Sequence, residues 1–142
     1  MPEKETIERA RKDKREGKAP STQAGEFVRE EIEHIREGKH GARSTKQAIA
    51  IGLSKARRAG VELPAPKNAS EETKEQAKRD TRRAGKKTSK RRSRATTKAL
   101  KKEGHSAASK QALSRQARAA AKRRSAASRS RSAKKAAATR KK

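Results

Sequence analysis

The residues of this chain with the most chemistry to offer are its clustered lysines and arginines, and that chemistry is neutralisation of phosphate. They stand as Lys86, Lys87, Lys90, Arg91, Arg92 and Arg94, then Lys101 and Lys102, then Lys122, Arg123 and Arg124, and then Lys134, Lys135, Arg140, Lys141 and Lys142. Residues 81–142 carry 24 basic residues against one acid, Glu103, a net of +23. Duplex DNA bears one negative charge per roughly 1.7 Å of axis, so this many cations match about 40 Å of duplex. A free coil of that length has an end-to-end distance of about 40 Å as well. Binding of this kind is additive, tolerant of any single alanine substitution, and steeply dependent on salt. A merely solubilising tail needs less charge and mixes both signs. The clusters are therefore the expected nucleic-acid-binding residues.

Other chemistries find less footing. The histidines are His34, His40 and His105. Glu30 and His34 share a helical face at i, i+4, and His40 follows in a loop, but the spacing places no third ligand beside them. A surface histidine in an ion pair and a loop histidine explain the pattern, so no metal site and no cofactor are expected. No serine or threonine has a base and an orienting group at a suggestive spacing, so no catalytic residue is assigned and the protein reads as no enzyme. The Gly-Lys pairs at 17–18, 38–39 and 85–86 fail the phosphate-loop pattern, because Lys12, Glu33 and Asp80 stand where its first glycine belongs. Sequence-specific reading of bases has little support. Lys46 and Gln47 lie near a helix start, but Gln47 is expected to complete a cap there. Stacking on single strands uses aromatics, and Phe27 is the only one. Ser93, Ser125, Ser128 and Ser130 lie beside arginines, where phosphorylation would subtract charge.

These residues need elements to position them, and the composition limits what those elements can be. Ile, Leu, Val and Phe number 12 of 142, with a net charge of +27 and no cysteine. So little apolar bulk cannot offset the entropy of ordering the whole chain. Nine of the 12 lie between Phe27 and Leu63, so the core is expected there. Val28, Ile32 and Ile35 recur at i, i+4 and i+7, widened by Phe27, with acids at 26, 30, 31, 33 and 37 covering the rest; this predicts a helix over 22–37. Ile49, Leu53 and Ala56 form a stripe flanked by Ala48, Ile51 and Gly52, behind the capping box Ser44-Thr45-Lys46-Gln47; this predicts a helix over 44–59. Joined by the loop 38–43, the two make an αα-hairpin. A core this small gains from self-association through 22–63 or from a bound partner.

Glycines punctuate the pattern. Gly17, Gly38, Gly60, Gly85 and Gly104 each follow a helical stretch, where a left-handed residue is expected. Arg15-Glu16-Gly17-Lys18 recurs as Arg36-Glu37-Gly38-Lys39, and each copy leads to a Ser-Thr pair, Ser21-Thr22 and Ser44-Thr45, expected to cap the next helix. Segment 2–16 reads as a solvated, fraying helix. Segment 70–84 is helical by propensity without an apolar face. Residues 86–142 are low-complexity Lys, Arg, Ala and Ser, expected to be coil alone, with helices near 94–103 and 107–123 once phosphates relieve the repulsion.

The expected fold is thus mainly α: a solvated N-terminal helix (1–20), a helical hairpin (21–66), a polar helix or linker (67–85), and a long disordered or conditionally helical basic tail (86–142). No stretch approaches the roughly 20 apolar residues of a membrane span. The N-terminus lacks an apolar leader, and Glu3, Glu5 and Glu8 argue against a transit peptide. A cytoplasmic setting is expected.

The stretch Ser44-Thr45-Lys46-Gln47-Ala48-Ile49-Ala50-Ile51-Gly52-Leu53-Ser54, after a helix and a Gly-Lys-rich loop, resembles a family of small, basic, uncharacterised bacterial proteins. They share an S-x-K-Q-A-I-A-I-[AG]-L-S core, and the likeness covers about 22–60. It implies a bacterial, cytoplasmic setting and association with DNA, and it supplies no active site. From Lys86 onward the composition resembles histone-H1-like tails, including those of bacterial nucleoid proteins. The expected function is therefore non-sequence-specific DNA binding in the nucleoid. Two alternatives stand beside it: an RNA- or ribosome-associated basic protein, since phosphate contacts carry no sugar or base identity, and a protein-interaction hairpin with a basic docking tail.

Overall fold

The computed structural model describes residues 2–141, so Met1 and the tail position Lys142 lie outside the described residues. Those residues form seven α-helices and one 3-10 turn, with no strand among them. The helices are α1 (Lys4–Arg15), α2 (Pro20–Arg36), α3 (Thr45–Arg58), α4 (Glu71–Arg82), α5 (Lys90–Lys101), α6 (Lys110–Arg123) and α7 (Ala126–Arg140), with the 3-10 turn Ser106–Ala108 between α5 and α6.

The hairpin is α2 against α3, and α2 is its centre. Phe27 and Ile35 are fully buried on α2, as the period predicts, and Ile32 lies beside them. The partner face on α3 differs from the expected stripe. Thr45, Ala48, Gly52 and Ala56 are buried, whereas Ile49 and Leu53 are only half-buried. The reason is close approach of the two backbones: a Cβ added at Gly52 would lie 2.6 Å from Val28 Cα. Small residues face the seam, and the larger ones are displaced to its flanks.

Two apolar clusters result. One joins Ala10, Ala24, Phe27, Ala56 and Val61, with Ile7, Leu53 and Leu63 against it. The other joins Ile32, Ile35, Ala42, Ala48, Ala107 and Ala108, with Val28 and Leu113 against it. The first draws α1 into the fold. Thr6 and Ala10 are buried, Arg9 Nε donates to Glu26 Oε2 at 2.9 Å, and Lys18 Nζ donates to Asp13 Oδ1 at 2.9 Å. The expected fraying helix is therefore a packed one. Similarly, α4 docks on α3 through a polar contact. Asp80 is 1% exposed and accepts from Ser54 Oγ at 2.8 Å, Arg58 Nε at 3.1 Å and Gln76 Nε2 at 3.1 Å. An apolar face was not required, because a buried carboxylate with three donors holds the two helices together beside Ala77.

Helix ends follow the glycine reading closely. Gly17, Gly38, Gly60 and Gly85 all have positive φ. After Gly38, Lys39 N–H bonds His34 O at 3.0 Å and Gly38 N–H bonds Ile35 O at 3.1 Å, the paired bonds of a Schellman stop. Gly104 is the exception and has no positive φ. Starts are set by serines: the Oγ of Ser44, Ser70, Ser89, Ser109 and Ser125 caps α3 through α7 in turn. The capping box is altered at one half, since Gln47 Oε1 accepts from Arg43 N–H rather than from Ser44. The capping of α2 expected from Ser21 and Thr22 does not occur: Ala19 is the N-cap and Pro20 occupies the first helical position, where its missing N–H costs nothing.

Over the described part of 86–142, the expected coil is corrected to a series of helices, α5, α6 and α7, joined by short connections. Alanine-rich segments with serine caps favour helix locally. Packing adds to this between α5 and α6. Gly41 N–H donates to Leu100 O at 2.9 Å and Ala42 N–H to Gly104 O at 3.0 Å. Arg36 Nε donates to Ala108 O at 2.9 Å and Thr45 Oγ1 to Ala107 O at 2.7 Å. Residues 100–108 are thus stitched to the hairpin, with Ala107 and Ala108 buried in its core. No residue of α5, α6 or α7 is itself buried.

Candidate nucleic-acid interface and a buried histidine–glutamate cluster

The cationic residues singled out from the sequence all lie on the surface wherever they are described. Lys86, Lys87, Lys90, Arg91, Arg92 and Arg94 are exposed before and within α5, and Lys101 and Lys102 at its end. Lys122, Arg123 and Arg124 are exposed where α6 gives way to α7; Lys134, Lys135 and Arg140 on α7 and Lys141 just after it are exposed too. Among the described residues, no salt bridge involves a cation beyond Lys74. The contrast with the first half is sharp: there, Arg9, Lys18, Lys55 and Arg58 each hold a carboxylate. The described cations of the second half therefore present unpaired charge on short helices rather than on one coil. At about 1.5 Å per residue, a helix of this length runs on the order of 20 Å. Gln47, whose side chain accepts from Arg43 N–H at 2.6 Å, is engaged in its own cap.

The second concentration of chemistry was not visible in the spacing. Two acids expected to cover the solvent side of α2, Glu30 and Glu31, are 2% and 0% exposed. Their surroundings explain how they are held. Glu31 Oε1 is paired with Lys55 of α3, and Glu31 Oε2 lies 3.1 Å from His40 Nε2 without hydrogen-bond alignment. Glu30 Oε1 accepts from the backbone N–H of Glu3 at 2.6 Å, while Glu30 Oε2 has no partner among the described residues. His34 Nε2 donates to Glu3 Oε1 at 3.1 Å and stands 4.0 Å from Glu30 Oε1. His40 uses Nδ1 toward Gly41 O at 2.9 Å. The two imidazoles meet edge-on with centroids 6.0 Å apart.

Three elements assemble this cluster. The glycine stop at Gly38 turns the chain so that His40 folds back on the last turns of α2. Packing of α1 brings Glu3 to the same place, and the close seam with α3 brings Lys55. His34 was expected at the surface; its side chain is 13% exposed. Its hydrogen bond, joined by the charge of Lys39, holds the Glu3 carboxyl below the ordinary carboxylate range against the opposing effect of desolvation. The sequence offered one usable signal here: Glu31 and His34 at i, i+3 on the helix whose other face carries the core. The missing third ligand is Glu31 itself, since Glu31, His34 and His40 place ligand atoms within 4.8 Å of one another, as do Glu3, Glu30 and His34.

Residues 3–68 match a family described as a family of unknown function, DUF6496. The match ends before α4 and so takes in α1, the hairpin and this cluster, but not the cationic helices. Searches of curated proteins and of solved structures find no match. Among the described residues, no helix is long and apolar enough to cross a membrane.

Proposed function

We propose that the protein binds DNA without sequence preference, as a histone-H1-like, nucleoid-associated protein that acts by neutralising phosphate and catalyses no reaction. The observation that carries this reading is the absence, among the described residues, of any ion pair for a cation of 81–142, a segment with 24 basic residues and one acid. Charge of one sign at that density repels itself, and a polyanion is the partner that relieves it. The hairpin supplies a folded anchor, with residues 100–108 tying the first cationic helices to it. The test is a gel-shift salt titration of the full chain with duplex DNA, single-stranded DNA and RNA in parallel. Binding to duplex at low salt, indifferent to sequence and with a steep logarithmic salt slope, is expected. If duplex is ignored at low ionic strength, the reading fails. If RNA is preferred, and RNase but not DNase releases the protein from cell extract, the RNA-associated alternative replaces it.

A further inference from the structure

The buried cluster at the C-terminal end of α2 is independent of the cationic helices and asks for an explanation of its own. Two adjacent carboxylates, Glu30 and Glu31, are almost wholly removed from water, and each has one oxygen with no hydrogen-bond partner among the described residues. Burial of an ionised carboxylate is costly unless cations or donors satisfy both oxygens. Lys55 serves one oxygen of Glu31. Glu30 has only the Glu3 amide on one oxygen and, among the described residues, no lysine or arginine within salt-bridge distance.

The histidines are arranged as metal ligands are. In a neutral imidazole one nitrogen donates and the other offers a lone pair. Gly41 O and Glu3 Oε1 can only accept, so His40 carries its proton on Nδ1 and His34 on Nε2. That leaves Nε2 of His40 and Nδ1 of His34 as the free lone pairs. Ligating histidines commonly donate their other N–H to a backbone carbonyl or a carboxylate, which fixes the ring. Both forms occur here, one on each ring. His40 Nε2 and Glu31 Oε2, two acceptors 3.1 Å apart with no aligned proton between them, stand at about the separation of two ligands on one tetrahedral ion.

We propose that Glu31, His34 and His40 bind a divalent transition-metal ion of the zinc class, with solvent in the remaining position and Lys55 balancing the second oxygen of Glu31. Mixed imidazole and carboxylate ligation without thiolate suits zinc, and cobalt can replace it as a spectroscopic probe. The ion ties the last turns of α2 to the loop that follows Gly38, and its charge offsets the acids at 3, 30 and 31. Nothing in this depends on whether the protein binds DNA.

The full, untagged chain, stripped with chelator and dialysed, is titrated with zinc chloride by calorimetry and with cobalt chloride by visible absorption. One equivalent of zinc bound at micromolar concentration or tighter is expected, with cobalt ligand-field bands that zinc abolishes. A net charge of +27 disfavours adventitious cation uptake, so stoichiometric binding speaks for a built site. H40A and E31Q are expected to weaken binding by a factor of at least about ten, while H105A leaves it unchanged. If either variant loses its helical circular dichroism, H34Q takes its place. The proposal is overturned if the folded wild-type chain takes up neither ion, or if H40A, E31Q and H34Q all bind as the wild type does; the cluster is then an ion-paired network around Glu31 and Lys55.

Discussion

Gly41 and Leu100 are joined through their backbones, the Gly41 N–H donating to the Leu100 carbonyl at 2.9 Å. The contact lets the segment after α5 lie flat on the loop after α2, and a side chain at 41 would run into the backbone of Glu103 and Gly104. The bond links a part of the chain that reads as folded to a part that reads as coil.

Gly41→Ala should therefore undock residues 100–108 while leaving the α2–α3 seam intact. Overpacking of this kind costs about 1–3 kcal/mol. Amide exchange at Ala107 and Ala108 should rise to solvent-like rates, and trypsin should cut faster after Lys101 and Lys102. Unchanged exchange at the two alanines would show that the docking does not depend on this approach.

Removal of residues 126–142 should leave the thermal midpoint of the remaining helices unchanged, because α7 buries no residue. It should still weaken binding to duplex DNA. The segment carries seven cations, so the logarithmic salt slope should fall by up to about 6. Removal of 86–142 is a less clean experiment, since it also strips Ala107 and Ala108 from the hairpin core; both affinity and hairpin stability should drop.

Lys18 gives a pH dependence with a definite sign. Its hydrogen bond to Asp13, and secondarily to Glu16, raises its pKa above the ordinary lysine value of 10.5. A group raised on folding contributes stability that is complete below its unfolded value and is lost as pH rises through its folded one. The contact of α1 with the loop before α2 should accordingly loosen only in the alkaline range. Lys18→Gln should remove that part of the alkaline loss in a denaturation series, while the part owed to Lys39, raised mainly by Glu37, should persist.

What could be read from the sequence was what local rules govern. Phe27 and Ile35 follow from helical period, and the stops at Gly17, Gly38, Gly60 and Gly85 follow from the need for positive φ. The serine cap of α3 was legible in the same way. The rest depends on partners distant in the chain. Glu30 and Glu31 look like solvent-facing acids until Glu3 and Lys55 arrive from other helices. Asp80 looks like surface charge until Ser54 and Arg58 meet it. The docking of 100–108 rests largely on backbone groups, which every residue type possesses, and on two alanines that composition alone files with the low-complexity tail. The α3 face was misplaced because hydrophobic periodicity weights Ile49 and Leu53 above Gly52, whereas the seam selects for smallness.

One serine opens each of the last five helices, and the outermost of those helices buries no residue. Length at that end is therefore cheap to change: a capped cationic helix can be added or removed as a single module without disturbing the folded part of the chain.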